Sequence, residues 1–377
     1  MKTNRLLFTG LLSLSAVAFG ASAPPEKAVQ PPNLIYIITD DLGYGDVSAY
    51  NPQGKISTPH LDRLAAEGMR FTDAHSSSSV CTPTRYNVLT GRYSWRTTLK
   101  RGVVNGYSPA LLNENRLTLA SLLQDHGYRT AMIGKWHLGM DVPFAGEPGR
   151  GAPIDWSGRI ERTPTSNGFD YFWGHNASLD FPPYVYIENN HYTSQTIEHT
   201  DDRNYRQVYS HRPYTGPEDT PPVDDGKTVI RGAFRPGPIA DNFDPFKTLD
   251  VFCNRAADYI RNVDAEKPFF LYVPLTSPHT PIVPTEEWLG KSGVGPYGDF
   301  VMQTDAGVGR ILQAVEERGF TDNTLVVFTS DNGCSRAAGI DDLVAQEHFP
   351  SGPYRGSKAD LWEGGHRVPH IVRWPAR

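Results

Sequence analysis

Short apolar blocks recur along the chain, separated by polar stretches rich in Pro and Gly, and the blocks differ in their period. Residues 33–39 (NLIYIIT), 268–275 (PFFLYVPL) and 323–329 (NTLVVFT) are apolar at nearly every position. Strands covered on both faces read this way, as in a parallel sheet, whereas a strand with one face in water alternates. Residues 129–134 predict a further strand, and 367–374 the last. Between these blocks the pattern turns helical. Thr58 and Pro59 open a helix running to about Glu67, with Thr58 as N-cap and Pro59 at the first position. A short helix follows over 82–89, and an amphipathic one over 117–126 closes at Gly127. Residues 247–263 predict another. In 299–318, Val308, Ile311, Leu312 and Val315 keep the helical spacing until Gly319 stops it. Helix and strand alternate, which is the α/β signature.

Two regions break the alternation. Residues 143–245 carry Pro, Gly, Asp and Tyr with only short apolar runs, and predict a loop-rich insertion with short strands on one edge of the sheet, the kind of segment that sets specificity. At the start, Lys2 and Arg5 precede an apolar run over 6–19 and an Ala21-Ser22-Ala23 cleavage pattern. Residues 1–23 therefore predict a secretory signal peptide, 24–32 an extended linker and 33–377 one catalytic domain, exported to the periplasm or secreted. No other apolar run is long enough to span a membrane.

Composition narrows the classes. The 377 residues carry 42 acidic against 36 basic side chains, net −6, so a general nucleic-acid-binding surface is not expected. Aromatic residues at 11% argue against disorder. Three cysteines are too few for a disulfide framework. Cys253 reads as a buried apolar residue on its helix, with a Cys253–Cys334 bridge as the alternative in an oxidising compartment.

The chemistry gathers where strands end. Asp40-Asp41, Ser277-Pro278-His279 and Asp331-Asn332 each follow an apolar strand, and Lys135-Trp136-His137 follows a fourth. In open α/β sheets ligands bind beyond the carboxyl ends of the strands, so these clusters are expected to converge. Asp40, Asp41, Asp331 and Asn332 offer oxygen donors without His or Cys, which favours Ca²⁺ or Mg²⁺ over Zn²⁺. Cys81 stands before a Pro-initiated helix with Arg85 one turn on, an anion-binding setting that in an exported protein points to a reactive thiolate. In the insertion, His175, Asn176, Asp180 and His191 are candidates for substrate contact, but a surface role is expected for each. Trp173 and Tyr184 read equally as a sugar platform or as core. His75 and Ser76 to Ser79 read as a loop that places Cys81.

Cys81-Thr82-Pro83-Thr84-Arg85 matches the C-x-P-x-R signature of the type I sulfatases, with Thr90-Gly91-Arg92 following. The chain also resembles that family at Asp40-Asp41, at 134–139 (GKWHLG), at Ser277-Pro278-His279, at 330–333 (SDNG), and at Gly356-Ser357-Lys358 with 362–365 (WEGG). The resemblance covers residues 33–377 in order. It implies an α/β fold like that of alkaline phosphatase, with a large, mostly parallel central sheet flanked by helices. It also implies a small C-terminal sheet subdomain, which is expected to be missing here because the sequence ends at Arg377.

Carried over by position, the resemblance implies that Cys81 is oxidised to formylglycine by a maturating enzyme and hydrates to a gem-diol nucleophile. Asp40, Asp41, Asp331 and Asn332, with modified Cys81, would hold one Ca²⁺. Arg85 would hold the modified residue, and Lys135 and Lys358 the sulfate oxygens. His279 would donate a proton to the leaving alcohol, and His137 would take one from the second hydroxyl. The expected activity is hydrolysis of sulfate monoesters, with sulfated carbohydrates as substrates. The alternatives are a phosphomonoester or phosphonate hydrolase of the same superfamily, or a non-catalytic glycan-binding relative in which Cys81 stays a thiol.

Overall fold

A computed structural model describes residues 31–146, 153–200 and 235–376, and the backbone of 214–215 and 230–231. The signal-peptide reading and most of the linker fall outside the described residues. Among the described residues no helix is long and apolar enough to cross a membrane.

The three apolar blocks form β1 (Asn33–Thr39), β11 (Phe269–Pro274) and β12 (Thr324–Ser330). They lie side by side with β1 in the middle, joined by β3 (Arg129–Lys135) and β4 (Tyr171–His175), and all five run parallel. Burial explains the continuous apolar pattern: Ile35, Ile37 and Ile38 are fully buried, each adding about 1.5–3 kcal/mol of transfer free energy. The outer strands are antiparallel. β13 (His370–Arg373) and β2 (Met69–Phe71) extend one edge, and β5 (Ile187–Glu188) and β6 (His191–Tyr192) the other. The nine-stranded sheet is thus α/β with a parallel centre and antiparallel margins. The 143–245 stretch holds short strands as expected, but not all of them lie at the edge of the sheet, since β4 sits between β3 and β5. It supplies β4, β5 and β6 to the main sheet, and a separate antiparallel pair of β7 (Ile197–Thr200) with β10 (Gly237–Ala240). Two further short strands, β8 (Tyr214–Thr215) and β9 (Ile230–Arg231), pair in parallel.

Helices α1 (Pro59–Ala66), α2 (Cys81–Thr90) and α3 (Leu119–Asp125) occupy the first part of the chain, and α4 (Thr248–Asn262) and α5 (Pro296–Glu317) the second. Helix α5 starts three residues before the expected Asp299, at Pro296, because Pro suits a helix's first turn. Thr58 bounds α1 but does not cap it with its side chain. Its hydroxyl instead accepts the Ser48 amide at 2.9 Å. The α1 amides of His60 and Leu61 donate to Asp305 of α5, at 3.2 and 2.8 Å. A long-range carboxylate therefore replaces the local cap. Burial pushes Asp305 up to about 7, against the pull of those two amides.

All three cysteines are free and buried, so the Cys253–Cys334 bridge does not form. Cys253 packs its sulfur against Gly307 where α4 meets α5, where a Cβ on Gly307 would lie 2.6 Å from Sγ. It behaves as a buried apolar residue.

Candidate active site

Parallel register brings the strand ends level. Thr39 of β1 pairs with Ser330 of β12, so Asp40-Asp41 and Asp331-Asn332 leave the sheet side by side. The Asp331 amide donates to Thr39 O at 3.1 Å, and the Asp40 amide to Ser277 O at 2.9 Å. Lys135 closes β3, and the strand before it passes unusually near β11: a Cβ on Gly134, whose φ is +139°, would lie 2.0 Å from Pro274 O. Only glycine fits there. Asp41, His137 and Ala359 adopt φ of 66°, 55° and 69°, a left-handed conformation that ordinary side chains rarely take. These residues lie in or beside the site, where backbone strain tends to collect.

Every expected site residue except Lys358 is buried below one tenth exposure, and Lys358 keeps a partly exposed side chain. Their charges interlock. Lys135 Nζ lies 2.5 Å from Asp40 Oδ2, and Lys358 Nζ lies 2.7 Å from Asp41 Oδ1. Arg85, from the second turn of α2, pairs with Asp331 Oδ2 at 2.8 Å and stands 3.8 Å from Asp40 Oδ1. It also reaches the carbonyls of Lys135 and Leu275, both at 3.4 Å. One guanidinium thus ties the ends of β3, β11 and β12. His279 Nε2 lies 3.7 Å from Asp41 Oδ2.

These contacts move the carboxyl groups in opposite directions. Burial opposes ionisation of Asp40, but Lys135, His279, Arg85 and Lys358 hold it well below the usual carboxylate range. Burial and the Asp40 charge push Asp331 up to about 6 despite Arg85. Burial pushes the Cys81 thiol up to about 11 against the pull of Lys135 and Lys358, with smaller pushes from Asp40 and Asp331. The expected reactive thiolate is therefore not what this environment favours. The anion-binding helix start is there, but burial dominates at the sulfur. Burial, then Lys135 and Arg85, hold His137 well below its ordinary value, so the ring is neutral. Its Nε2 faces Val104 O at 2.9 Å, which fixes a proton there and leaves buried Nδ1 without a partner.

The donor set fits a hard cation. Asp40 Oδ1 and Asn332 Oδ1 are buried acceptors without a hydrogen bond. Ligand atoms of Asp40, Cys81 and Asp331 lie within 4.8 Å of one another, and so do those of Asp40, Asp41 and His279. The Asn332 side-chain amide donates to Asp41 Oδ1 at 2.7 Å and to Gly333 O at 2.9 Å, so its nitrogen is spent within the cluster and its oxygen stays free. Buried acceptors without a donor are costly unless a cation or water meets them.

Three expectations about the insertion are corrected. His175, Asn176 and Asp180 are buried rather than on the surface, because they end or follow β4, which lies within the sheet rather than outside it. His191 is exposed. Trp173 and Tyr184 are core residues. Sequence reasoning missed Ser178, fully buried, whose hydroxyl takes the Lys135 ammonium at 3.2 Å and lies 3.3 Å from His279 Nδ1. The signal was available: Ser178 follows a strand end, as the other site residues do. Also missed was the support under Asp41, where Tyr297 reaches both Asp41 O, at 3.3 Å, and Asp46, and His348 pairs with Asp46 at 2.9 Å.

Comparison with known proteins agrees with this geometry. Residues 32–377 match the Sulfatase family. The chain is 37% identical, over 92% of its length, to N-acetylgalactosamine-6-O-sulfatase of Bacteroides thetaiotaomicron, and spans 68% of that protein. It is 32% identical, over 97% of its length, to N-acetylgalactosamine-6-sulfatase of Canis lupus familiaris, and spans 61% of it. A solved Bacteroides thetaiotaomicron structure, described in terms of the metabolism of multiple glycosaminoglycans, superposes with a TM-score of 0.75 at 34% identity, covering 92% of this chain and 72% of that one. A sulfatase from Pseudoalteromonas sp. superposes with a TM-score of 0.62 at 27% identity, covering 92% and 62%. With the whole described core matched and the Cys81, Asp40-Asp41 and Asp331-Asn332 motifs gathered at one end of its sheet, the chain belongs to the sulfatase family.

Proposed function

We propose that this chain hydrolyses sulfate monoesters of sulfated carbohydrates, with 6-sulfated N-acetylgalactosamine as the leading substrate class. The observation that carries this is the cluster of three carboxylates and three cations around Cys81, at the start of α2. The substrate class rests on the names of the similar proteins. Asp40, Asp41, Asp331 and Asn332 would hold Ca²⁺, which when bound supplies Lewis-acid polarisation of a sulfate oxygen and of the nucleophile.

Cys81, oxidised to an aldehyde by a maturating enzyme and hydrated, attacks sulfur through one hydroxyl. Neutral His137 accepts the proton of the second hydroxyl at Nδ1, sulfate leaves and the aldehyde returns. A simple alcohol in that place would leave a stable sulfate ester. Lys135 and Lys358 bind the sulfate oxygens, and His279, steadied by Ser178, protonates the departing alcohol. Residues 1–23 carry the chain to the periplasm or outside the cell.

The test is the mass of the Cys81 peptide in protein made with its maturating enzyme, together with turnover of sulfated sugars. Formylglycine and sulfate release are expected. An unmodified thiol in protein that turns over sulfated sugars would refute the nucleophile, and formylglycine without sulfate release from any sulfated sugar would refute the substrate class.

A further inference from the structure

Outside the active site, among the described residues, one cluster brings two imidazoles and a carboxylate together. His75 precedes the Ser loop that leads into Cys81, and Glu363 and His366 bound the short helix α6 (Glu363–His366) that follows the Lys358 loop. His75 Nε2 lies 3.2 Å from both carboxylate oxygens of Glu363. The His75 and His366 rings stand 5.1 Å apart, and one ligand atom from each of the three residues falls within 4.8 Å of the others.

The backbone holds this arrangement. His75 and Arg367 form an antiparallel bridge, the Ser76 amide donates to His366 O at 2.8 Å, and the Val368 amide donates to Ala74 O at 3.1 Å. A His–Glu ion pair accounts for two of the three side chains, but not for the second imidazole brought to the same point. One of the two imidazoles has an outer partner. His366 Nε2 faces Leu361 O at 3.1 Å, which leaves Nδ1 bare, and His75 Nδ1 lies 3.8 Å from Asp73 Oδ1. Metal-binding histidines are commonly oriented as His366 is, by a carbonyl on the far nitrogen, whereas Asp73, paired with Arg367 at 3.0 Å, stands beyond hydrogen-bond reach of His75.

We propose that His75, Glu363 and His366 form a second metal site, for a borderline divalent ion of the Zn²⁺ class. Two imidazole nitrogens and one carboxylate select such an ion over Ca²⁺, which prefers oxygen alone. Bonds of about 2.0–2.2 Å set tetrahedral edges of about 3.3 Å, so the His75–Glu363 separation already suits a shared ion and only His366 must close in. Arg367 takes Glu363 Oε2 at 2.6 Å, which leaves the other oxygen for the metal. The side chains of His75 and Glu363 are 36% and 41% exposed, so water fills the fourth position. An ion there ties the loop before Cys81 to the segment after Lys358, two segments already joined by the Ala359 amide donating to Ser79 O at 2.9 Å.

The experiment titrates Co²⁺ into the full chain saturated with Ca²⁺ and reads the visible absorption of four-coordinate Co²⁺, with metal content after dialysis as the second readout. One equivalent is expected to bind and to give that band. His75→Ala and His366→Ala should each lose it, with at least about a hundredfold loss of affinity. Far-UV circular dichroism checks that these surface variants fold. Asp331→Asn should keep the band. The proposal is overturned if wild type gives no such band, if the His75→Ala/His366→Ala double variant binds as wild type does, or if Asp331→Asn removes the band.

Discussion

Arg85→Met removes the cation that joins three strand ends while keeping most of the side-chain volume. The guanidinium is fully buried, 2.8 Å from Asp331 and 3.8 Å from Asp40, and accepts no help from solvent. Removing one partner of a buried ion pair costs about 3–5 kcal/mol, chiefly because the remaining charge is left desolvated. Here the orphaned group is Asp331, and the carbonyls of Lys135 and Leu275 lose a donor as well. With an unfolding entropy of about 2 cal/mol/K per residue over about 350 residues, a loss of about 4 kcal/mol lowers Tm by about 5–6 °C. Arg85→Lys should recover part of this, because the charge returns without the planar fork that reaches several partners. The assay is calorimetric unfolding in chelator and again in Ca²⁺. Added Ca²⁺ should narrow the Arg85→Met deficit, since the ion takes over part of the compensation of Asp331 and Asp40. An unchanged or raised Tm for Arg85→Met in chelator would refute the reading that this guanidinium holds the carboxylates together.

Other outcomes follow from the same contacts. Because burial and Asp40 push Asp331 up to about 6, a proton must leave it before a cation can bind at acid pH. Ca²⁺ affinity measured by calorimetry should therefore fall as pH drops from 7 to 5, by up to about tenfold per unit, and a flat profile would contradict the ligand assignment. His279→Ala should harm turnover of sugar sulfates, with poor leaving groups, at least about tenfold more than turnover of nitrophenyl sulfate, and equal losses would remove His279 as the proton donor. Asp305, raised to about 7, loses its stabilising contribution as pH rises through that value, whereas Asn does not titrate. The Tm of Asp305→Asn relative to wild type should therefore climb between pH 5 and pH 8, and a constant difference would show that the carboxyl is not raised.

Sequence patterning located the strands that carry the site because each is buried on both faces and ends in polar residues. Asp40, Asp41, Asp331 and Asn332 were legible for that reason, and so was their convergence, since parallel strands deliver their carboxyl ends to one side. The 171–175 segment was less legible. It is short, and its aromatic and glycine residues, Tyr171 to His175, carry no clear period, so β4 could not be told from the short strands expected at the edge, and buried His175 and Asn176 read as surface residues. Ser178 escaped because its role depends on Lys135 and His279, which approach it from other strands. The α1 cap escaped for the same reason: Asp305 lies 244 positions from Leu61, and no local motif reports it. The Cys81 motif marked a residue that lies among the strand-end clusters, but its thiol chemistry depends on how deeply it is buried, which no local motif reports.

The central claim is that this site is built for a sulfate ester. A divalent cation with the carboxylates of Asp40, Asp41 and Asp331 carries a charge of about −1, and Arg85, Lys135 and Lys358 bring it to about +2 with His137 neutral and before His279 is counted. That suits a monoanionic sulfate ester better than a phosphate ester, which carries nearly two charges at neutral pH. The most direct measurement compares kcat/KM for the sulfate and phosphate esters of one chromogenic alcohol, on matured enzyme saturated with Ca²⁺. The account predicts a clear preference for sulfate, whereas equal or faster hydrolysis of the phosphate ester would contradict it.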